Sequence, residues 1–249
     1  MPKDAGMPEM QIQKISPRSL ARIAGALYVI VIFAGMWAEM FVRGGVMVHD
    51  NAAATATNIL AHEQMFRLGF ITDLIGGACY IAIVLILYFV LRPGGHLLAL
   101  LATFFGMVGN AVFAMNLLNH LAAIIILKNA HALAAFTPAQ LQALSFWFLK
   151  LHGEGYVMAM FFFGLFMATT GVVIARSAIL PRLLGVLLIV GGLLDAGGSI
   201  LVFLGPSVTA LLPFDPISLG GLSEIALALW LVSFGANTDR WNELRLAPL

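Results

Sequence analysis

Asp73, Asp195 and Glu224 each interrupt a long run of apolar residues. An ionisable side chain near the middle of a bilayer costs roughly 2.5 kcal/mol or more on insertion scales, so each needs a partner, a water-filled cavity or a function. Carboxylates so placed attract a cation or bind a proton, which is the chemistry of a small-molecule or ion site. Glu39, His120, His152 and Glu154 lie nearer the ends of their apolar runs. Asn116, Asn119 and His120 form one stripe at helical spacing, a pattern that ligand contacts share with ordinary interhelical hydrogen bonding. The candidate ligand-binding set is Asp73, Asn116, Asn119, His120, His152, Glu154, Asp195 and Glu224.

Other chemistries have weaker marks. His120 and His152 fall at similar depth on adjacent antiparallel segments, where two imidazoles could hold a haem or, with Glu154 and Asp195, a metal ion. No motif-level spacing supports such a site, so neither a metal nor a cofactor is assigned. The sequence contains no nucleotide-binding glycine loop, HExxH helix or nucleophile elbow, and His62-Glu63 lacks the second histidine that metal chemistry needs; no catalytic residue is assigned. The single cysteine, Cys79, excludes an intramolecular disulfide and a cysteine-based zinc site. Glu39 with Arg43, Glu63 with Arg67, and Lys150 with Glu154 are each four residues apart. That is the spacing of ordinary helix ion pairs, worth about 0.2–0.5 kcal/mol.

The elements that must position these groups are legible from composition. With 61% hydrophobic and 10% charged residues and a mean hydropathy of +0.98, the chain could not cover itself with polar surface in water; a soluble domain carries roughly 25% charged residues. Apolar runs at 20–41, 66–91, 97–127, 153–175, 183–204 and 219–234 are long enough, or nearly so, to cross roughly 30 Å of hydrocarbon. In lipid every backbone polar group must be satisfied within its segment, and runs without strand-like alternation manage that as helices. The fold class expected is an all-α polytopic membrane bundle of six transmembrane helices. Residues 1–15 read as a disordered cytoplasmic tail, 16–235 as the transmembrane domain and 236–249 as a cytoplasmic C-terminal tail.

Local signals add detail. Ser16-Pro17 supplies a helix start, and Thr137-Pro138-Ala139-Gln140 a capping box that opens an amphipathic helix running into the fourth span. The alanine-rich stretch 51–62 has helical character and is expected on the outer interface. The over-long third span and the capped helix together predict a hairpin projecting past the outer face. Glycines flank the three deep acids: Gly76 and Gly77; Gly191, Gly192, Gly197 and Gly198; Gly220 and Gly221. Small residues let helices approach in lipid, so the acids are expected to face other helices.

Orientation follows the placement of Lys and Arg. With the N-terminus inside, the cytoplasmic side receives Lys3, Lys14, Arg18, Arg22, Arg92, Arg176, Arg182, Arg240 and Arg245, and the outer side Arg43, Arg67, Lys128 and Lys150. Nine against four favours both termini inside. The acids then all fall in the outer half of the bilayer, which predicts a polar pocket between helices that opens outward. A net charge of +1 with scattered cations argues against a nucleic-acid partner.

Several stretches together carry a resemblance: Ala21-Arg22-Ile23-Ala24-Gly25-Ala26-Leu27-Tyr28, Phe66-Arg67-Leu68-Gly69 after the stretch 52–60, Asn116-Leu117-Leu118-Asn119, Leu151-His152 with Gly155-Tyr156, Leu180-Pro181-Arg182-Leu183-Leu184-Gly185, and the stretch 224–231. The chain resembles, over about 20–234, a bacterial multispanning family catalogued only as a domain of unknown function. The resemblance implies the bacterial cytoplasmic membrane and supplies no catalytic residues. Members often carry an acid where this chain has Tyr80 and another where it has Val157.

Three readings stand at this point. The first is a protein that binds or transports a small molecule or cation through the outward pocket, with Asp73, Asp195 and Glu224 lining it and Asn116, Asn119 and His120 on its wall. The second, ranked lower for want of a nucleophile or ligand set, is a membrane-embedded enzyme using a carboxylate with His120 or His152. The third is a structural or regulatory subunit of a membrane complex.

Overall fold

A computed structural model describes residues 16–246, and they are all-helical. The tail expected over 1–15 lies outside the described residues. Six helical segments are long and apolar enough to cross a membrane. The first comprises α1 (Pro17–Trp37), a π-helical turn (Ala38–Arg43) and the short α2 (Gly44–Val46). After the short helix α3 (Ala52–Ala61) come α4 (Glu63–Leu91), α5 (His96–Lys128) and α6 (Pro138–Ser177). The remaining elements are α7 (Arg182–Leu204), the single turn α8 (Pro206–Thr209), α9 (Pro216–Ser233) and the polar α10 (Thr238–Leu246).

The caps read from sequence are present. Ser16 accepts from the Ser19 amide with Pro17 at the first helical position. Thr137 and Gln140 form the reciprocal capping box at the head of α6. That helix is continuous for 40 residues and pairs with the 33-residue α5. At 1.5 Å per residue the two are about 60 and 50 Å long, well beyond the roughly 30 Å of a hydrocarbon core. The alanine-rich stretch forms α3, capped by Asn51, and buries Thr55, Ala56 and Ile59 against the long pair.

The six spans close a ring. Each packs on its neighbour in sequence, and α9 returns to pack on α1. Large apolar side chains such as Phe33, Ile75, Phe104, Leu193 and Leu229 stand exposed on its outside, as a lipid-facing surface requires and an aqueous one would not tolerate. The chain is a multi-pass membrane protein.

One end of the ring, where the tight turns at 92–95 and 177–181 lie, is filled by a single apolar core. Ile83, Leu87, Phe166, Val173, Leu188 and Leu231 belong to it. Glycines make this packing close: a Cβ at Gly164 or Gly171 would collide with the backbone of Gly192 or Gly185 on α7, so nothing larger fits the α6–α7 seam. The C-terminal segment crosses this end. The Asn237 amide donates to the Ile179 carbonyl, 2.9 Å, and Arg240 Nε to the Ser177 carbonyl, 3.0 Å. The opposite end carries α3 and the longer connections, and there a second apolar cluster with Val42, Ile59, Phe66, Ala123 and Leu149 packs α3 against the long pair, leaving space between it and the first.

Candidate functional site

Between the two apolar clusters lies a cavity of about 500 Å³ among α1, α4, α5, α6 and α9, within the roughly 300–1,000 Å³ that small-molecule sites occupy. Its polar lining comes from Tyr28, Glu39, Arg43, Asp73, Tyr80 and Glu224, with Asn110 and Tyr156 beside them. These side chains stand on helices whose outward faces are apolar, so their polarity is directed inward by the same amphipathic division that places the helices in lipid.

The π-helical turn sets one wall. The Gly44 amide donates to the Glu39 carbonyl five residues back, a widened turn that is frequent at functional sites. Around it Ala38, Val42, Arg43 and Val46 are all buried. Val42 fits against Gly69 of α4, where a side chain would collide with it. Arg43, only 5% exposed, donates from Nη1 to Asp73 Oδ2 at 2.5 Å and from Nε to Glu39 Oε2 at 2.6 Å. A buried acid thus has its buried counter-charge, and the pair closes the α1–α4 side of the cavity.

The floor lies deeper. Tyr28 O–H donates to Glu224 Oε1, 2.8 Å, linking α1 to α9. Beside it the Tyr80 hydroxyl and Asn110 Oδ1 are buried without a hydrogen-bond partner among the described residues, although both side chains line the cavity. Leaving such groups unmet costs about 1–3 kcal/mol each. Gly35, Gly76 and Gly221 also line the space, and at each the position of a Cβ has nothing within 4 Å. Here the missing side chains make room, whereas at the α6–α7 seam they permit contact.

The sequence candidates divide. Asp73 and Glu224 line the cavity; Asn116, Asn119, His120, His152, Glu154 and Asp195 are not among its lining residues. The wall position expected for Asn116, Asn119 and His120 is taken by Asn110, about two turns along the same helix. Asn116 instead ties α5 to α6, its Nδ2 donating to the His152 carbonyl at 2.7 Å while His152 Nδ1 lies 3.2 Å from the Asn116 carbonyl. Asn119 Nδ2 donates to Asn116 Oδ1. His120 Nε2 donates to the Phe66 carbonyl, 2.9 Å, and its ring stacks on Phe66 with centroids 4.0 Å apart.

His120 and His152 do approach one another, with ring centroids 5.6 Å apart. No group of three metal-ligating side chains gathers among the described residues, so the set of both histidines with Glu154 and Asp195 is not assembled. Glu154 is exposed on α6. Its expected partner Lys150 bonds Asp50 instead, 3.4 Å, because the chain returning from α2 brings that acid over the α6 surface. Asp195 is fully buried with both oxygens unpartnered among the described residues. It packs where α7 meets α9, its carboxyl occupying the space a side chain on Gly220 would need.

Sequence reasoning missed Arg43, Tyr28, Tyr80, Asn110 and Tyr156. For Arg43 the spacing to Glu39 pointed to an exposed ion pair. The tyrosines had a usable signal, since this residue type favours membrane interfaces, yet Tyr28 and Tyr80 sit well inside their helices.

The family described as Domain of unknown function (DUF4386) matches residues 23–235. No curated protein and no solved structure matches the chain.

Proposed function

Because the chain belongs to the Domain of unknown function (DUF4386) family, whose description carries no activity, we propose from the site itself that it binds a small molecule in the intramembrane cavity. The carrying observation is that about 500 Å³ of space adjoins ionisable and hydroxyl side chains deep in helices of a lipid-embedded bundle. A protein under no demand but packing would fill that volume with side chains, as the apolar clusters on either side of it do. Asp73, held by Arg43, and Glu224, held only by Tyr28, are the ligand-facing acids, and Tyr80 and Asn110 line the space beside them.

The protein resides in the bacterial cytoplasmic membrane with both termini inside, so that the cavity end faces outward. Two observations support this orientation. At the cavity end Arg67, Lys128 and Lys150 are each paired with an acid, and Arg43 is buried in its own ion pair. The end with the tight turns carries Arg18, Arg22, Arg92, Arg176 and Arg182 without salt bridges among the described residues, the excess of free positive charge that favours the cytoplasm.

The test is a thermal-shift screen of small molecules on purified protein, repeated with Asp73→Asn, Glu224→Gln and Tyr80→Phe. A bound ligand is expected to raise the melting temperature of the native protein and to lose its effect in the variants. Undiminished stabilisation in all three would place the ligand elsewhere.

A further inference from the structure

We infer that the ligand of this cavity is an amphipathic organic cation, an ammonium head with an alkyl chain, which enters sideways from the bilayer between α1 and α9. The inference rests on the cavity being a binding site and concerns what it binds and by which door.

The door follows from how the two helices part. Near the packed end they touch at backbone distance, Gly25 fitting against Leu231 and Val232, and the Tyr28–Glu224 hydrogen bond is the next link. Beyond it each helix turns to a different partner. α1 leans on α4 through Val42 on Gly69 and Arg43 on Asp73. α9 leans on α7, with Pro216 and Ile217 against Gly198 and Gly220 against Asp195. In the gap between them, Met36, Leu222 and Ile225 line the cavity and are themselves 48%, 59% and 37% exposed, so no other side chain covers the seam. The surface is therefore continuous from outside to inside. It opens partway along two membrane-crossing helices, where hydrocarbon rather than water is the neighbour.

The head group follows from charge and aromatic faces. Three acids line the space, Glu39, Asp73 and Glu224, against one cation, Arg43. Arg43 is already shared by Glu39 and Asp73, which leaves Glu224 with a tyrosine hydroxyl and no cation. Around that acid the lining is aromatic: Tyr80 lies 4.8 Å from Phe163 and 5.9 Å from Tyr28, and Phe113 lies 6.1 Å from Tyr156, centroid to centroid. Ring faces beside a carboxylate attract quaternary and tertiary ammonium groups. An anionic ligand would have to displace an acid from Arg43 and face Glu224 unpaired. A neutral one would leave Glu224 without a counter-charge in a medium where that is costly. The methionine and aliphatic side chains at the door take the chain.

The experiment compares octyltrimethylammonium, tetramethylammonium and 1-octanol on the protein in nanodiscs of zwitterionic lipid, following equilibrium binding and association rate. Octyltrimethylammonium is expected to bind saturably, and the headless and tailless probes about tenfold or more weaker. Gly35→Trp and Gly221→Trp, whose side chains project into open space, are expected to slow association about tenfold or more, and Glu224→Gln to weaken binding by a similar factor. Octanol binding as tightly as the cation would overturn the head-group assignment, and an unchanged association rate in both tryptophan variants would overturn lateral entry. If a water-soluble compound bound in a Glu224-dependent way while all ammonium probes failed, this inference would fall and the cavity would stand as a site. Absence of any binding sensitive to Asp73→Asn, Glu224→Gln or Tyr80→Phe would remove both.

Discussion

Two buried polar clusters share this bundle, and space is what separates them. In the α5–α6 interface, Asn116, His120 and His152 bond to backbone carbonyls of neighbouring helices, and Phe66 covers the imidazole of His120. In the cavity, Arg43, Asp73, Tyr80 and Glu224 have comparable depth, but solvent-sized room lies beside them. Both clusters leave atoms unpaired, His120 Nδ1 and His152 Nε2 in the first, the Tyr80 hydroxyl and Asn110 Oδ1 in the second. Burial of a polar residue in lipid therefore does not by itself distinguish glue from site. What sets the second cluster apart is the space for a molecule beside its side chains.

The sharpest way to break this comparison is to unpair the cavity ion pair. Asp73→Ala leaves the Arg43 guanidinium buried with only Glu39, and unfolding in a detergent titration is expected to show a loss of about 3 kcal/mol or more. Arg43→Leu with Asp73→Leu should recover most of that loss, because a matched apolar pair carries no desolvation cost. If the double variant were no better than the single one, the pair would be a structural clamp rather than a costly feature of a site.

Next in size is the contrast between glycines. A Cβ on Gly155 would run into the Asn116 amide, so Gly155→Ala is expected to cost about 1–3 kcal/mol through overpacking of the interface cluster. Gly221→Ala enters empty space and should be neutral or stabilising by about 0.5–1 kcal/mol, the usual helix gain over glycine. Equal costs at the two positions would mean that the cavity is not the open region described.

Removing the interface hydrogen bond is a milder perturbation. His120→Leu gives up the bond to the Phe66 carbonyl and is expected to cost about 1 kcal/mol while leaving any ligand-induced thermal shift intact. A lost shift would draw the histidines into the site. Opposite in sign, Tyr80→Phe deletes a buried hydroxyl that has no partner among the described residues, so stability should rise, by about 1 kcal/mol, while ligand binding weakens.

The legibility of the two clusters in the sequence differed for a physical reason. Asp73 and Glu224 stood out because an acid deep in an apolar run is costly wherever its partner lies. Asn116 with His120 stood out equally, since helical spacing marks a shared face without saying what the face meets. Arg43 was concealed by its own neighbour: with Glu39 one turn away, the sequence offers a sufficient local partner, and only the approach of α4 supplies the second. Lys150 shows the converse, for Glu154 is the partner at helical spacing while the fold delivers Asp50.

The amino-acid sequence by itself determined the class of this protein. Length and apolarity of each run decide, segment by segment, that backbone polar groups must be met within a helix, and that decision needs no knowledge of neighbours. The caps at Ser16 and Thr137 and the membership in the family were likewise local or linear properties. Only the tertiary structure decided which acids are paired, which glycines permit contact and which leave room, and where the ring stays open. Those outcomes depend on distances between helices far apart in the chain, and no single helix's sequence contains the position of another.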